Sequence, residues 1–395
     1  MARTIRRLRT SVQKVCNGAN LTRAEAKLAE DAVVGICASG SCHLSAIARV
    51  CGGSEPLIRT ERRYSKGLAK KTSGIDDLRY SYLAMVANVA QLMPFICVDG
   101  SDASKPYGKA FQYLGMISDR SDRDRRVGPG YWLVSVEATD GAHRNLPLWS
   151  EVVSTEAPTY TDWFAAYRRA IIEVSWRCNS PDATWLFDRG FDDAEFMGWL
   201  TTLEITWVVR QKQNRNVVLG DGTVIMMHQL ASTLRTPHDV AIPYVDKSTH
   251  EPLTFTASFG YAPVRLPNSD QRYFMLVVDC GRKEPMVLLT NVNITSVKQA
   301  MAIVLAYVRR WGCEEGLRCW KQKTGIEDFR VQRWEAIQRI VMLSMIAYGL
   351  QALLLLTRPA IAMRYIQLVK SFIPRVMYQH YRLWDGIQLA LCNSE

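Results

Sequence analysis

Two short apolar runs, each closed by an aspartate, constrain this chain more than any other feature. The first, residues 94 to 98 in PFICVDGSD, ends in Asp99 followed by Gly100; the second, residues 184 to 187 in TWLFDRGFDDAEF, ends in Asp188. A short apolar run bounded by turn residues is the pattern of a buried strand. A carboxylate at the C-terminal end of such a strand lies where open α/β sheets place their sites. Between the runs, YWLVSVEAT (131–139) and LPLWSEVVS (146–154) read as two strands of a meander, and TDWFAAYRRAIIEVSWR (161–177) as an amphipathic helix. Asp192 and Asp193 read as caps of the next helix, and ITWVVRQKQ (205–213) as a further strand. Asp102 is an alternative to Asp99, but it lies past Gly100 in the expected turn, which favours Asp99.

From 214 to 297 the texture turns β-rich, with turn signals at Gly220-Asp221-Gly222 and Gly281, the pattern of an inserted β-rich domain. SVKQAMAIVLA then predicts a helix entering YVRRWGCEEGLRCWK (307–321). On one continuous helix, Tyr307, Arg310, Glu314 and Lys321 fall within roughly a 60° arc at about 100° per residue. Gly312 and Gly316 lie opposite, where a missing side chain admits another element closely. Glu315 sits about 100° off the stripe, so Glu314 is the better candidate. Tyr, Arg and Lys around one Glu suit holding phosphodiester oxygens beside a metal-binding carboxylate. The plainer reading is an Arg310–Glu314 pair on a solvated helix.

At 395 residues, 48% hydrophobic and 22% charged, the chain has the composition of a globular protein with room for two or three domains. Its net charge of +11 is concentrated: residues 1–80 hold 15 Lys and Arg against 7 Asp and Glu. A basic N-terminal module points to a polyanionic partner, most simply DNA, although RNA or a membrane surface fits the charge equally. Residues 22–71 read as helices, Thr22 and Glu25 forming a capping box, in a helix-turn-helix-like layout. Arg59, Arg62, Arg63 and Lys66 would be its phosphate or base contacts; a solvated basic helix is the alternative. Ten cysteines without a CxxC pair read as reduced, mostly buried thiols. Cys37, Cys42, His43 and Cys51 cluster, but match no usual zinc spacing. Residues 340–356 are apolar yet short of a membrane span, and read as a buried helix. There is no GxSxG, HExxH, P-loop or GxGxxG motif.

The spacing Tyr-x2-Arg-x3-Glu-x6-Lys over Tyr307, Arg310, Glu314 and Lys321 resembles the Tyr-Arg-Glu-Lys motif of cut-and-paste insertion-sequence transposases. These are a branch of the DDE transposases. VDGSD and FDRGFDDAEF resemble the family's first and second aspartate motifs. The resemblance implies an α/β protein with a ribonuclease-H-like mixed-sheet core, and the order of strands, helix and carboxylates agrees with that fold. The expected organisation is a helical DNA-binding domain (1–80), the first part of the core (81–213), the inserted β-rich domain (214–297), the glutamate helix and following helices (298–357), and a basic C-terminal helical tail (358–395). It further implies that Asp99, Asp188 and Glu314 are catalytic and hold two Mg²⁺ ions, with Mn²⁺ as a substitute. Tyr307, Arg310 and Lys321, assisted by Arg189, would contact the element end near the scissile phosphate. The implied partners are double-stranded DNA, as terminal inverted repeats and target, and a second copy in a synaptic dimer. No membrane is expected, and the implied location is the bacterial cytoplasm at the nucleoid. A structure-selective nuclease with the same core, or a domesticated DNA-binding protein that no longer cuts, are the competing readings.

Overall fold

The computed structural model describes residues 2–118, 127–141, 144–245, 252–267, 269–368 and 379–392. In chain order the first elements are helices α1 (Ala2–Asn17), α2 (Arg23–Ser39), α3 (Leu44–Cys51), α4 (Leu57–Leu68) and α5 (Leu78–Ala90). Strands β1 (Phe95–Ser104), β2 (Gly115–Ser118), β3 (Val127–Thr139) and β4 (Asn145–Val153) lead to α6 (Ala165–Cys178) and β5 (Thr184–Phe187). Helix α7 (Ala194–Thr202), β6 (Thr206–Arg210), β7 (Asn216–Val218), β8 (Val224–Met226) and α8 (Met227–Thr233) follow. Strands β9 (His238–Val245), β10 (Pro252–Arg265), β11 (Arg272–Asp279) and β12 (Met286–Thr290) precede α9 (Val297–Arg309) and α10 (Trp311–Thr324). The chain closes with α11 (Trp334–Thr357), α12 (Pro359–Leu368) and α13 (Gln379–Cys392). Within the expected tail, residues 369–378 and 393–395 lie outside the described residues.

The chain divides into two compact units. Unit 1 comprises Met1–Met93, Asp99–Ser180 and Gly312–Glu395. In it β3 neighbours β2 and β1 and pairs antiparallel with β4, Trp132 facing Val153 and Thr139 facing Asn145. Helix α2 begins where the sequence predicts. Thr22 accepts the Glu25 N–H at 3.3 Å, and Glu25 Oε2 accepts the Thr22 N–H at 3.0 Å. Two orphan donors are thereby satisfied reciprocally. Cys37 and Cys42 are buried here, and burial pushes both thiols up to about 12. Helix α11 packs against β4, α2 and α5. Its most apolar stretch, with mean hydropathy 2.0, is long enough to cross a membrane, yet 78% of it is buried within the protein. Tyr82 of α5 donates to Pro147 O at 2.6 Å beneath this helix.

Unit 2 comprises Pro94–Val98 and Pro181–Trp311. Its strand order runs from the start of β1 through β5, β6, β12, β11 and β10 to β7 and β8, with β9 on β10. The apolar runs are strands as expected, and Phe95–Val98 pairs parallel with Thr184–Phe187, and β5 parallel with β6. The β-rich stretch 214–297 carries on the same ladder, because β12 pairs antiparallel with β6 through Leu288↔Arg210 and Thr290↔Val208. Strands 274–278 and 287–289 are buried on both faces, as strands inside a covered sheet must be.

Candidate active site

Asp188 belongs to a group of polar residues in unit 2. The β1–β5 register ends at Val98↔Phe187, and the next residue along each strand is an aspartate, Asp99 on one and Asp188 on the other. Asp188 leaves the strand in an extended conformation, and its Oδ1 accepts the Gly190 N–H at 2.7 Å, starting a short 3-10 turn over Arg189–Phe191. Arg189 is exposed on that turn. Tyr307, near the end of α9, is 6% exposed, and the Arg310 guanidinium lies 5.8 Å from its ring centroid. Burial pushes the Tyr307 hydroxyl up; the charges of Arg310 and Arg210 oppose this and that of Asp188 adds to it. Asp188, Arg210, Tyr307 and Arg310 are therefore electrostatic neighbours. Sequence reasoning missed Arg210, whose only signal is that it is the cation closing the apolar run of β6.

The two acids after Asp188 divide their tasks. Asp193 caps α7, accepting the Phe196 N–H at 2.8 Å. Asp192, expected as an alternative cap, is instead 8% exposed, accepts the Lys212 N–H at 2.6 Å and pairs with Arg215. A buried carboxylate takes the cation within reach ahead of a helix end that already has a cap.

Unit 1 holds Asp99 itself. The expected turn at Asp99-Gly100 is not there: β1 runs on to Ser104, so Asp99 lies mid-strand and Asp102, 2% exposed, is a strand residue too. Gly100 answers a packing demand, since a Cβ on it would stand 2.3 Å from the Tyr167 hydroxyl. Alternation puts Asp99 and Ser101 on one face of β1 and Asp102 on the other. Lys321 Nζ donates to Ser101 Oγ at 3.3 Å and to Asp102 O at 2.8 Å, and pairs with Glu327 Oε1 at 2.7 Å. Helix α10 thus lies along the Asp99 face of β1. Glu314, two turns before Lys321, is on the same stripe of α10.

The single helix expected over Tyr307–Lys321 is broken. α9 ends at Arg309, Arg310 is its C-cap, and α10 restarts at Trp311. Gly312, a weak helix former, sits just past the break, and its carbonyl accepts a hydrogen bond from Asn145 Nδ2. The four-residue stripe therefore belongs to two helices, Tyr307 and Arg310 with the first, Glu314 and Lys321 with the second. The glycine expectation holds at Gly316, where a Cβ would stand 2.4 Å from Asn145 Nδ2 and 2.5 Å from Glu137 Oε2.

Glu137 on β3 is a buried carboxylate that sequence reasoning passed over. It is 2% exposed, and neither of its oxygens has a hydrogen-bond partner. Burial, and then the charge of Asp99, raise its pKa to about 8. Its signal was available: it is the one charged residue in YWLVSVEAT.

Away from these groups, α3, a turn at 52–56 and α4 follow one another in unit 1. Thr60, Tyr64 and Leu68 form the buried side of α4, whereas Arg59, Arg62, Arg63 and Lys66 are exposed. Arg63 lies 5.4 Å from the Tyr64 ring centroid and pairs with Glu55.

Among the described residues, no three or more His, Cys, Asp or Glu side chains are grouped so as to hold a metal ion. The donor chemistry still suits a hard cation. Mg²⁺ takes oxygen ligands and is often held by one or two carboxylates together with waters and substrate phosphates. Partnerless carboxylate oxygens in the field of a second carboxylate are donors of that kind.

Residues 162–350, a stretch that includes Asp188 and Glu314, match the family model described as the transposase DDE domain. No curated protein matches the chain. Among solved structures, the chain is similar to piggyBac transposase in a synaptic complex with hairpin DNA. The identity is 9%, with a TM-score of 0.38, over 76% of this chain and 53% of that one. The chain thus spans about half the length of that transposase chain.

Proposed function

We propose that this protein is a cut-and-paste DNA transposase that hydrolyses phosphodiester bonds at the ends of an insertion sequence and joins those ends to target DNA. The observation that carries the reading is the match of residues 162–350 to the transposase DDE domain model, a stretch in which Asp188 directly follows buried strand β5 and Glu314 lies on α10. Asp99, Asp188 and Glu314 hold divalent cations, Mg²⁺ or in its place Mn²⁺. Bound by those carboxylates, two such ions would supply charge neutralisation for displacement at phosphorus.

The chain's own residues bind and orient the DNA. Arg310, with Tyr307 against it, and Arg189 present donors for phosphodiester oxygens in the neighbourhood of Asp188. Lys321, tied to Ser101 and Glu327, steadies α10 and offers the cation of the Glu314 stripe. Arg59, Arg62, Arg63 and Lys66 on α4 grip the terminal inverted repeat. Synapsis of two ends calls for a dimer on DNA, and the setting for such an element is the bacterial cytoplasm at the nucleoid.

The test is cleavage of a labelled duplex carrying the element's terminal repeat, in Mg²⁺ or Mn²⁺ against EDTA, for the wild type and Glu314→Ala. Metal-dependent release of a 3′-hydroxyl at the element end, lost in the variant, is the expected result. Cutting without joining to target DNA would make the protein a nuclease. Binding with no cut by either protein would make it a DNA-binding relative and withdraw the catalytic roles.

A further inference from the structure

We propose that Glu137 is a further carboxylate of the site, supplying oxygen to the divalent cation that Asp99 holds. The inference rests on the assignment of Asp99 as a metal ligand and adds a residue outside the Asp-Asp-Glu set.

The first observation is an unsatisfied pair of atoms. Both Glu137 oxygens are buried and without a hydrogen-bond partner, and a buried polar group left unpaired is destabilising. Asp99, Tyr82, Tyr348 and Cys319 share its electrostatic environment. Lys321 on the facing helix is engaged by Ser101, Asp102 and Glu327.

The second observation is placement. Glu137 sits on β3, the strand beside β1 and Asp99. Above it passes α10, whose backbone comes so close at Gly316 that a Cβ there would meet Glu137 Oε2 at 2.5 Å. Glu314 lies two residues earlier on that helix. A carboxylate held under the glutamate helix and beside the first aspartate, with its lone pairs unused, is a ready oxygen donor for a cation entering there.

The test is Mn²⁺ titration of the full chain without DNA, following free Mn²⁺ by its electron paramagnetic resonance signal, for the wild type, Asp99→Asn, Glu137→Gln and Glu137→Asp. Gln is nearly isosteric with the uncharged acid, and the thermal midpoint without metal checks folding. The expected result is loss of binding in Asp99→Asn and weakening by at least about tenfold in Glu137→Gln. Glu137→Asp, which keeps a carboxylate, then binds more tightly than Glu137→Gln. Loss in Asp99→Asn with wild-type affinity in Glu137→Gln overturns the role of Glu137 and leaves Asp99 in place. Wild-type affinity in Asp99→Asn removes the Asp99 assignment and this inference with it. Should Glu137→Gln fail to fold, Glu137→Ala is read in its place, and wild-type Mn²⁺ affinity in that variant overturns the proposal.

Discussion

Arg339 on α11 grips Asp76 with two parallel hydrogen bonds, Nε to Oδ1 at 2.8 Å and Nη2 to Oδ2 at 2.7 Å. Its remaining nitrogen, Nη1, donates to Leu68 O at 2.7 Å and Lys70 O at 2.5 Å. One guanidinium thereby ties the long buried helix to the end of α4 and the segment after it. Arg339 is 2% exposed, whereas the Asp76 side chain is 55% exposed, so the carboxylate looks dispensable by its own solvation. Removing it nevertheless leaves the buried guanidinium with only its two carbonyl acceptors, and unsatisfied buried donors cost about 1–3 kcal/mol. Asp76→Ala is therefore expected to lower the urea midpoint by far more than an ordinary surface substitution. A loss under about 0.5 kcal/mol, the surface norm, would contradict this.

Gly316 is expected to tolerate no side chain. The 2.4 Å and 2.5 Å approaches are to Asn145 Nδ2 and Glu137 Oε2, so an added methyl must displace the ends of two buried side chains. Gly316→Ala should cost about 1–3 kcal/mol, the range for overpacking. Gly198 on α7 is the control, with nothing within 4 Å of its would-be Cβ. Gly198→Ala should stabilise by about 0.5–1 kcal/mol, because alanine is the better helix former. Thermal unfolding of both variants should move in opposite directions.

Acid should reveal the Glu25 cap. Burial alone would raise this carboxyl, but hydrogen bonds from Ser73 and Thr22 and the charge of Lys70 outweigh it and hold the pKa at about 2. The Ser73 hydroxyl donates at 2.7 Å and the Thr22 hydroxyl at 2.7 Å. Because the folded value lies below the ordinary one of 4.5, the contribution is complete above about pH 4.5 and disappears as pH falls towards 2. Glu25→Gln should lose stability at neutral pH and show a shallower decline across that window. Parallel stability profiles for the two proteins would show that Glu25 contributes nothing through its charge.

Several of these elements were legible in the residues alone, and the reason is locality. The α2 capping box involves residues three apart, and the apolar runs at 95–98 and 184–187 carry their burial in their own composition. Gly316 announces a close approach by what it lacks, whereas a Cβ on Gly312 would meet nothing nearer than 3.8 Å. The break at Arg310 was not legible: Asn145, more than 150 residues away, donates to the Gly312 carbonyl just past it, a contact that no local pattern announces. Asp99-Gly100 looks like a turn when only its neighbours are considered; Tyr167, on α6, is what makes glycine necessary in a continuing strand. Glu137 escaped for the same reason. Within β3 it is one polar residue in an apolar run, and only β1 and α10 make it a buried carboxylate beside another.

The exposed face of α4 gives a prediction that separates DNA recognition from an ordinary solvated helix. Each phosphate contact by Lys or Arg releases condensed counterions, steepening the fall of log K with log salt by about 0.9 per contact on duplex DNA. Arg59, Arg62 and Lys66 are exposed on one helix whose other side carries the buried Thr60, Tyr64 and Leu68. Replacing all three by Ala leaves that packing untouched. The triple variant should fold as the wild type and bind the terminal repeat more weakly, its salt slope reduced by roughly 2.5 to 3. Fluorescence anisotropy across a salt series measures both quantities. If one of the three reads a base edge, its single variant should also narrow the gap between the terminal repeat and an unrelated duplex. An unchanged slope in the triple variant would mean that α4 faces solvent on the DNA-bound protein, and that the N-terminal charge excess acts through other residues.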